Sequence, residues 1–166
     1  VESMMNYERF LETKATVDVP TGLTTSGINI NPKLFDFQRD IVTWALKRGR
    51  AAIFADCGLG KTAIQLEWAK HIHGNVLIFA PLAVAQQTVR EGQKFGIDLS
   101  YCRKQEDIKD KITITNYEMI NNFDASFFSG IVLDESSILK SFTGSFRNAI
   151  IEKFKNVPFR LACTAT

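Results

Sequence analysis

The chain has 166 residues, 45% of them hydrophobic and 23% charged, which suits one globular domain with a sizeable core and excludes a disordered or low-complexity polymer. Twenty basic against eighteen acidic residues leave a net charge of +2, too balanced to indicate a nucleic-acid partner by itself and no obstacle to one. No apolar run approaches the ~18 residues of a membrane span and no signal-peptide pattern opens the chain, so a cytoplasmic protein with no membrane partner is expected.

Residues Tyr7 to Lys14 read as a short helix and Val17 to Asn31 as a loop rich in Thr, Gly and Pro; together they suggest an N-terminal extension over residues 1–32. From Lys33 to Arg48, the residues Leu34, Phe37, Ile41, Trp44 and Ala45 recur at three- and four-residue steps, which predicts an amphipathic helix ending at Gly49. Ala51 to Phe54 reads as a strand and Lys61 to Ile72 as a second amphipathic helix. Strand-like runs follow at Val76 to Ala80, Ile112 to Thr115, Ile131 to Leu133 and Arg160 to Cys163, with Leu99 to Cys102 a weaker candidate. Helical patterns fall between them, near residues 83–95, 116–122 and 144–155. Such alternation implies right-handed crossovers, and hence an α/β fold whose mainly parallel central sheet is flanked by helices on both faces.

Between the first strand and the second helix stands Ala55-Asp56-Cys57-Gly58-Leu59-Gly60-Lys61-Thr62. A glycine-rich turn from strand to helix points backbone N–H groups and the positive helix end at one spot, where a polyphosphate can sit. Gly58 and Gly60 permit close backbone approach, Lys61 can reach the β and γ phosphates, and the Thr62 hydroxyl can ligate Mg²⁺. The generic pattern has Gly where this chain has Ala55. Its complement is Ile131-Val132-Leu133-Asp134-Glu135, an apolar run ending in two carboxylates. In a parallel sheet ligands collect beyond the carboxyl ends of the strands, so Asp134 is expected to face the crevice of Lys61 and hold Mg²⁺ there, with Glu135 activating the attacking water. The three cysteines show no paired-ligand spacing and read as buried or incidental thiols; His71 and His73 read as solvated histidines at a helix end.

Taken together, these segments resemble the first RecA-like domain of superfamily 2 helicases, and within them the Swi/Snf-like DNA translocases. The likeness runs from about Leu34 to Thr166, which makes residues 33–166 an expected N-terminal RecA-like ATP-binding domain. Gly-Leu-Gly-Lys-Thr, residues 58–62, is the Swi/Snf-like form of the phosphate loop, and the family often begins that loop with Ala. The resemblance makes Gln38, in Leu34-Phe35-Asp36-Phe37-Gln38, an adenine-recognition residue, a role suited to an amide that both donates and accepts. It makes Pro81 and Leu82, with Gln86, Gln87 and Arg90 after them, a first DNA-backbone motif, and Thr115 and Asn116 in Thr115-Asn116-Tyr117-Glu118 a second.

In Asp134-Glu135-Ser136-Ser137 the last two residues depart from the usual Ala-Asp or Ala-His. The resemblance gives Ser137, with Thr164 and Thr166, the role of coupling ATP state to DNA grip, and similar Asp-Glu-Ser-Ser forms occur in helicase-like proteins of bacteriophages. The likeness stops within the Thr164-Ala165-Thr166 motif, so the second RecA-like domain, with its arginine fingers, is an expected partner outside this sequence. The implied function is the ATP-binding half of a DNA helicase or translocase, an ATP hydrolase in its full-length form. This fragment alone is expected to bind ATP and Mg²⁺ and hydrolyse ATP poorly. Two alternatives stand beside it: the ATPase motor of a restriction-type nuclease, and a small-molecule phosphotransferase using the same loop.

Overall fold

The computed structural model describes residues 22–24, 27–54, 60–134, 138 and 142–164. The elements in chain order are α1 (Asp36–Arg48), β1 (Arg50–Phe54), α2 (Lys61–His71), β2 (Asn75–Phe79), α3 (Leu82–Lys94), β3 (Leu99–Tyr101), β4 (Ile112–Thr115), β5 (Phe128–Asp134), α4 (Gly144–Lys153) and β6 (Phe159–Thr164). Residues Tyr117–Asn122, expected to be helical, form a 3₁₀ segment. The short helix expected at Tyr7 to Lys14 lies outside the described residues.

The six strands of the described residues join one sheet in the order β1-β6-β5-β2-β4-β3, and every neighbouring pair is parallel. Apolar residues on β2 and β5 alternate between the two faces, and each face has its own core. On one side Val76, Ile78 and Val132 meet Val42 and Leu46 of α1, Ile64 and Trp68 of α2, and Ala85 of α3. On the other Leu77, Phe79, Ile131 and Leu133 meet Tyr117, Ile120, Ile150 and Phe154. The sheet is therefore covered on both faces, as a parallel sheet requires.

Two helices differ in face from the sequence expectation. In α1 the buried residues are Gln38, Val42, Ala45 and Leu46, whereas Phe37 and Trp44 are 44% and 46% exposed. The buried stripe includes a polar residue and is rotated away from the aromatics; Trp44 instead carries the Arg48 guanidinium at 5.6 Å from its ring centroid. Helix α2 is not amphipathic. Six consecutive residues, Ile64 to Ala69, are buried, because α1 and α3 flank the helix while it lies on the sheet.

That burial traps a carboxylate. Glu67 accepts hydrogen bonds from His71 Nε2 at 2.8 Å and from the Asn31 main-chain N–H at 3.0 Å, with Lys70 Nζ 4.0 Å away. Burial raises the Glu67 pKa, but the two hydrogen bonds and the neighbouring positive charge outweigh it and hold the group below the ordinary carboxylate value. His71 is thus a structural partner of Glu67, not a solvated helix-end residue. Cys102 and Cys163 are buried, as expected of incidental thiols, and Cys57 lies outside the described residues.

Candidate functional site

The strand register aligns the carboxyl ends on which the site is built. Phe54 pairs with Thr164, Cys163 with Asp134, Leu133 with Phe79, and Phe79 with Thr115. The sheet itself therefore collects residues from five distant segments along one edge.

A cleft of about 610 Å³ opens at this edge, lined among others by Gln38, Gly60, Lys61, Thr62, Pro81 and Asp134. Gly60 caps the start of α2 in the left-handed conformation, φ 69° and ψ 42°. A Cβ there would lie 2.2 Å from Gln38 Nε2, so any side chain would strain the backbone and force the Gln38 amide to move. Lys61 and Thr62 are the first two residues of α2, where main-chain N–H groups and the helix dipole favour an anion. Lys61 Nζ donates to Asp134 Oδ2 at 2.9 Å, across 73 residues of sequence. The pair is mostly buried, with side-chain exposures of 20% and 12%.

Gln38 is 5% exposed, and its Oε1 accepts the Phe35 N–H at 2.9 Å, so the amide is pinned by its own helix start while its nitrogen faces Gly60. Two contacts tie α2 and β1 to β6: Gln65 Nε2 donates to Cys163 Sγ at 3.3 Å, and Thr164 Oγ1 donates to the Ile53 carbonyl at 3.3 Å. Pro81 lines the cleft at the start of α3, and Leu82 is 56% exposed beside it; Gln86, Gln87 and Arg90 are also exposed.

Thr115 and Asn116 sit differently. Thr115 is 0% exposed, and Asn116, 6% exposed, bonds both the Tyr101 hydroxyl and Glu118. Both residues are buried as a whole, and the Thr115 carbonyl accepts the Ala80 N–H at 3.0 Å, so the structure does not present the expected nucleic-acid contact at this turn; of residues Thr115 to Glu118 only Glu118 is exposed. Gly58, Leu59, Glu135, Ser137 and Thr166 lie outside the described residues.

Hard donors converge here: one hydroxyl and one carboxylate, beside a lysine ammonium. Such a set suits Mg²⁺ arriving on a polyphosphate, since that ion keeps most of its waters and needs only one or two protein oxygens. Among the described residues no group of three or more His, Cys, Asp and Glu is clustered as a self-sufficient metal cage. Residue-type spacing did not reveal Tyr117, whose buried hydroxyl contacts the main chain of Asp134, or the Glu67–His71 pair under α2. For the latter the four-residue spacing of an acid and a histidine on one helix was the available signal.

A parallel sheet, a strand-to-helix turn carrying Gly-Lys-Thr, and a facing acid at the end of β5 define a phosphate-loop domain of the RecA-like type found in superfamily 2 helicases. The chain belongs to the family described as "Type III restriction enzyme, res subunit", whose model matches residues 31–166. No curated protein sequence matches it. Among solved structures, it is similar to the UvsW helicase of bacteriophage T4, with a TM-score of 0.67 at 18% identity over 85% of this chain and 57% of that one. It is also similar to the SWI2/SNF2 ATPase core of Sulfolobus solfataricus, solved in complex with double-stranded DNA (TM-score 0.60, 22% identity, 84% of this chain and 32% of that one). A hypothetical ATP-dependent RNA helicase from Sulfolobus tokodaii gives a TM-score of 0.62 at 14% identity, over 85% and 48% of the two chains. At these identities the likeness establishes the shared fold. The chain spans little more than half the length of the UvsW structure and less of the other two.

Proposed function

We propose that this domain binds ATP with Mg²⁺ and is the N-terminal ATP-binding half of a DNA helicase or Swi/Snf-like translocase. The observation that carries the reading is the 2.9 Å contact between Lys61 and Asp134, two residues from separate motifs brought to one cleft. Lys61 neutralises the β and γ phosphates, while the N–H groups at the start of α2, with those of Gly58 and Leu59, cradle them. Thr62 and Asp134 hold the Mg²⁺, which offsets phosphate charge during transfer. Glu135, next in sequence, orients and deprotonates the attacking water. Gln38 reads the adenine edge from its pinned position at the rim. Thr164, tied to β1 through the Ile53 carbonyl, passes the nucleotide state along the sheet edge with Ser137 and Thr166.

Nucleic acid, in this reading DNA, crosses the same edge and meets the start of α3 at Pro81 and Leu82, where contacts grip phosphates without reading bases. Hydrolysis by this chain alone is slow, because an arginine supplied by a second RecA-like domain is worth about 10³ to 10⁵ in rate. The family description favours one further setting for the same domain, the ATPase motor of a restriction-type nuclease. ATP-dependent DNA cleavage by the intact protein would select that setting; movement on DNA without cleavage would select the translocase.

Equilibrium binding of Mg²⁺-ATP to wild type and to Lys61→Ala tests the reading. We expect the variant to lose at least about tenfold in affinity, the equivalent of one charge-assisted phosphate contact. Equal affinities would remove Lys61 from the site.

A further inference from the structure

We propose that Tyr117 is a positioning residue for Asp134, and that its hydroxyl links the turn after β4 to the acid that faces Lys61. The inference rests on the Mg²⁺-ATP reading and deepens it. Tyr117 is 2% exposed, its ring stacked on Phe79 at 5.4 Å and 9° and set edge-on to Phe142 at 5.9 Å. Its hydroxyl accepts the Asp134 N–H at 2.9 Å and donates to the Asp134 carbonyl at 2.7 Å, with the Phe79 carbonyl 3.5 Å away. Holding both main-chain groups of one residue fixes the peptide planes on either side of it, and with them the direction in which its carboxylate leaves the strand.

The sheet explains why such a clamp is needed. Strand β2 ends at Phe79, and Pro81 carries no N–H with which to extend the ladder beside β5. A hydroxyl combines donor and acceptor on one atom, so Tyr117 serves the last residue of β5 where a strand peptide is missing. The turn that bears it is anchored in its own right: Asn116 bonds Tyr101 and Glu118. A shift of this turn would therefore move the Asp134 main chain directly. The position of the turn after β4 and the geometry at the Mg²⁺ side of the cleft are coupled through one oxygen atom.

Tyr117→Phe keeps the ring and removes the hydroxyl. We expect ATP affinity measured without Mg²⁺ to be unchanged, and the Mg²⁺ concentration giving half-maximal enhancement of ATP binding to rise about five- to tenfold, as for one to two net hydrogen bonds. Phe142→Leu loosens the packing around the same ring but leaves the hydroxyl, and should not move the Mg²⁺ requirement. Amide exchange in the wild type supplies a measurement that needs no variant: the Asp134 N–H should be protected to the level of its β5 neighbours. An unprotected Asp134 amide, an unchanged Mg²⁺ requirement in Tyr117→Phe, or equal shifts in both variants would overturn the proposal. A wild type that binds no Mg²⁺-ATP would overturn the nucleotide reading as well, whereas the three other outcomes in a wild type that binds it leave that reading standing.

Discussion

Gly60 and Glu67 show how single residues fix α2, the first at its start and the second in its buried middle. At Gly60 a left-handed backbone and the Gln38 amide 2.2 Å from any Cβ act together. Gly60→Ala should thus strain the start of α2 by about 1–2 kcal/mol and push Gln38 aside. Mg²⁺-ATP affinity is expected to fall about tenfold or more in titration calorimetry, and unchanged affinity would show that neither constraint matters to binding. At Glu67, a pKa held below its ordinary value means that the folded state binds the carboxylate form more tightly than the unfolded state does. The associated stability is present above the ordinary value near 4.5 and is lost as pH falls through the lowered folded value. Glu67→Gln should flatten the acid limb of a pH–stability curve from urea melts; an unaltered limb would exclude the carboxylate as its source. The residues that sequence exposed, Lys61, Thr62 and Asp134, sit in fixed spacing to a strand or a helix start. Tyr117 escaped because its partner is the main chain of Asp134, distant in sequence and invisible to any spacing rule, whereas Glu67 had a local signal in His71 four residues on but not in Asn31, 36 residues away.

Periodicity located the elements better than it located their faces. Among the described residues, the six strands and four α-helices fall where apolar runs and three- or four-residue steps place them, with ends displaced by a few residues. The misjudged faces have one cause: periodicity assumes that each helix meets one apolar surface. Helix α2 meets three, and so buries Gln65 and Glu67 along with its apolar residues. Helix α1 buries Gln38 because its amide accepts the Phe35 N–H and packs against Gly60, leaving Phe37 and Trp44 outside. The short β4–β5 connection runs as 3₁₀ turns because Tyr117 must drop into the core immediately after the strand. Since Trp68 is 0% exposed at the centre of α2, Trp68→Ala should destabilise the domain by about 3–5 kcal/mol in equilibrium urea unfolding. A loss under 1 kcal/mol would mean that α2 is not the keystone of that core.

At the scale of the molecule, a parallel sheet with a separate core on each face leaves one edge, the carboxyl ends of its strands, as the place where α1, α2, α3, β2 and β5 all deliver side chains. The sequence showed the two halves of the site but not that they touch, because contact across 73 residues depends on strand order, and β5 enters the sheet beside β2 and β6. The central claim is that Lys61 and Asp134 act on one metal-bound nucleotide. The most direct measurement is a titration of the wild-type chain with Mg²⁺-ATP followed by amide NMR. Shifts at Gly60, Lys61 and Thr62 and at Leu133 and Asp134 should saturate together at one equivalent with a single dissociation constant. Shifts at only one of the two segments, or at neither under saturating nucleotide, would contradict the account.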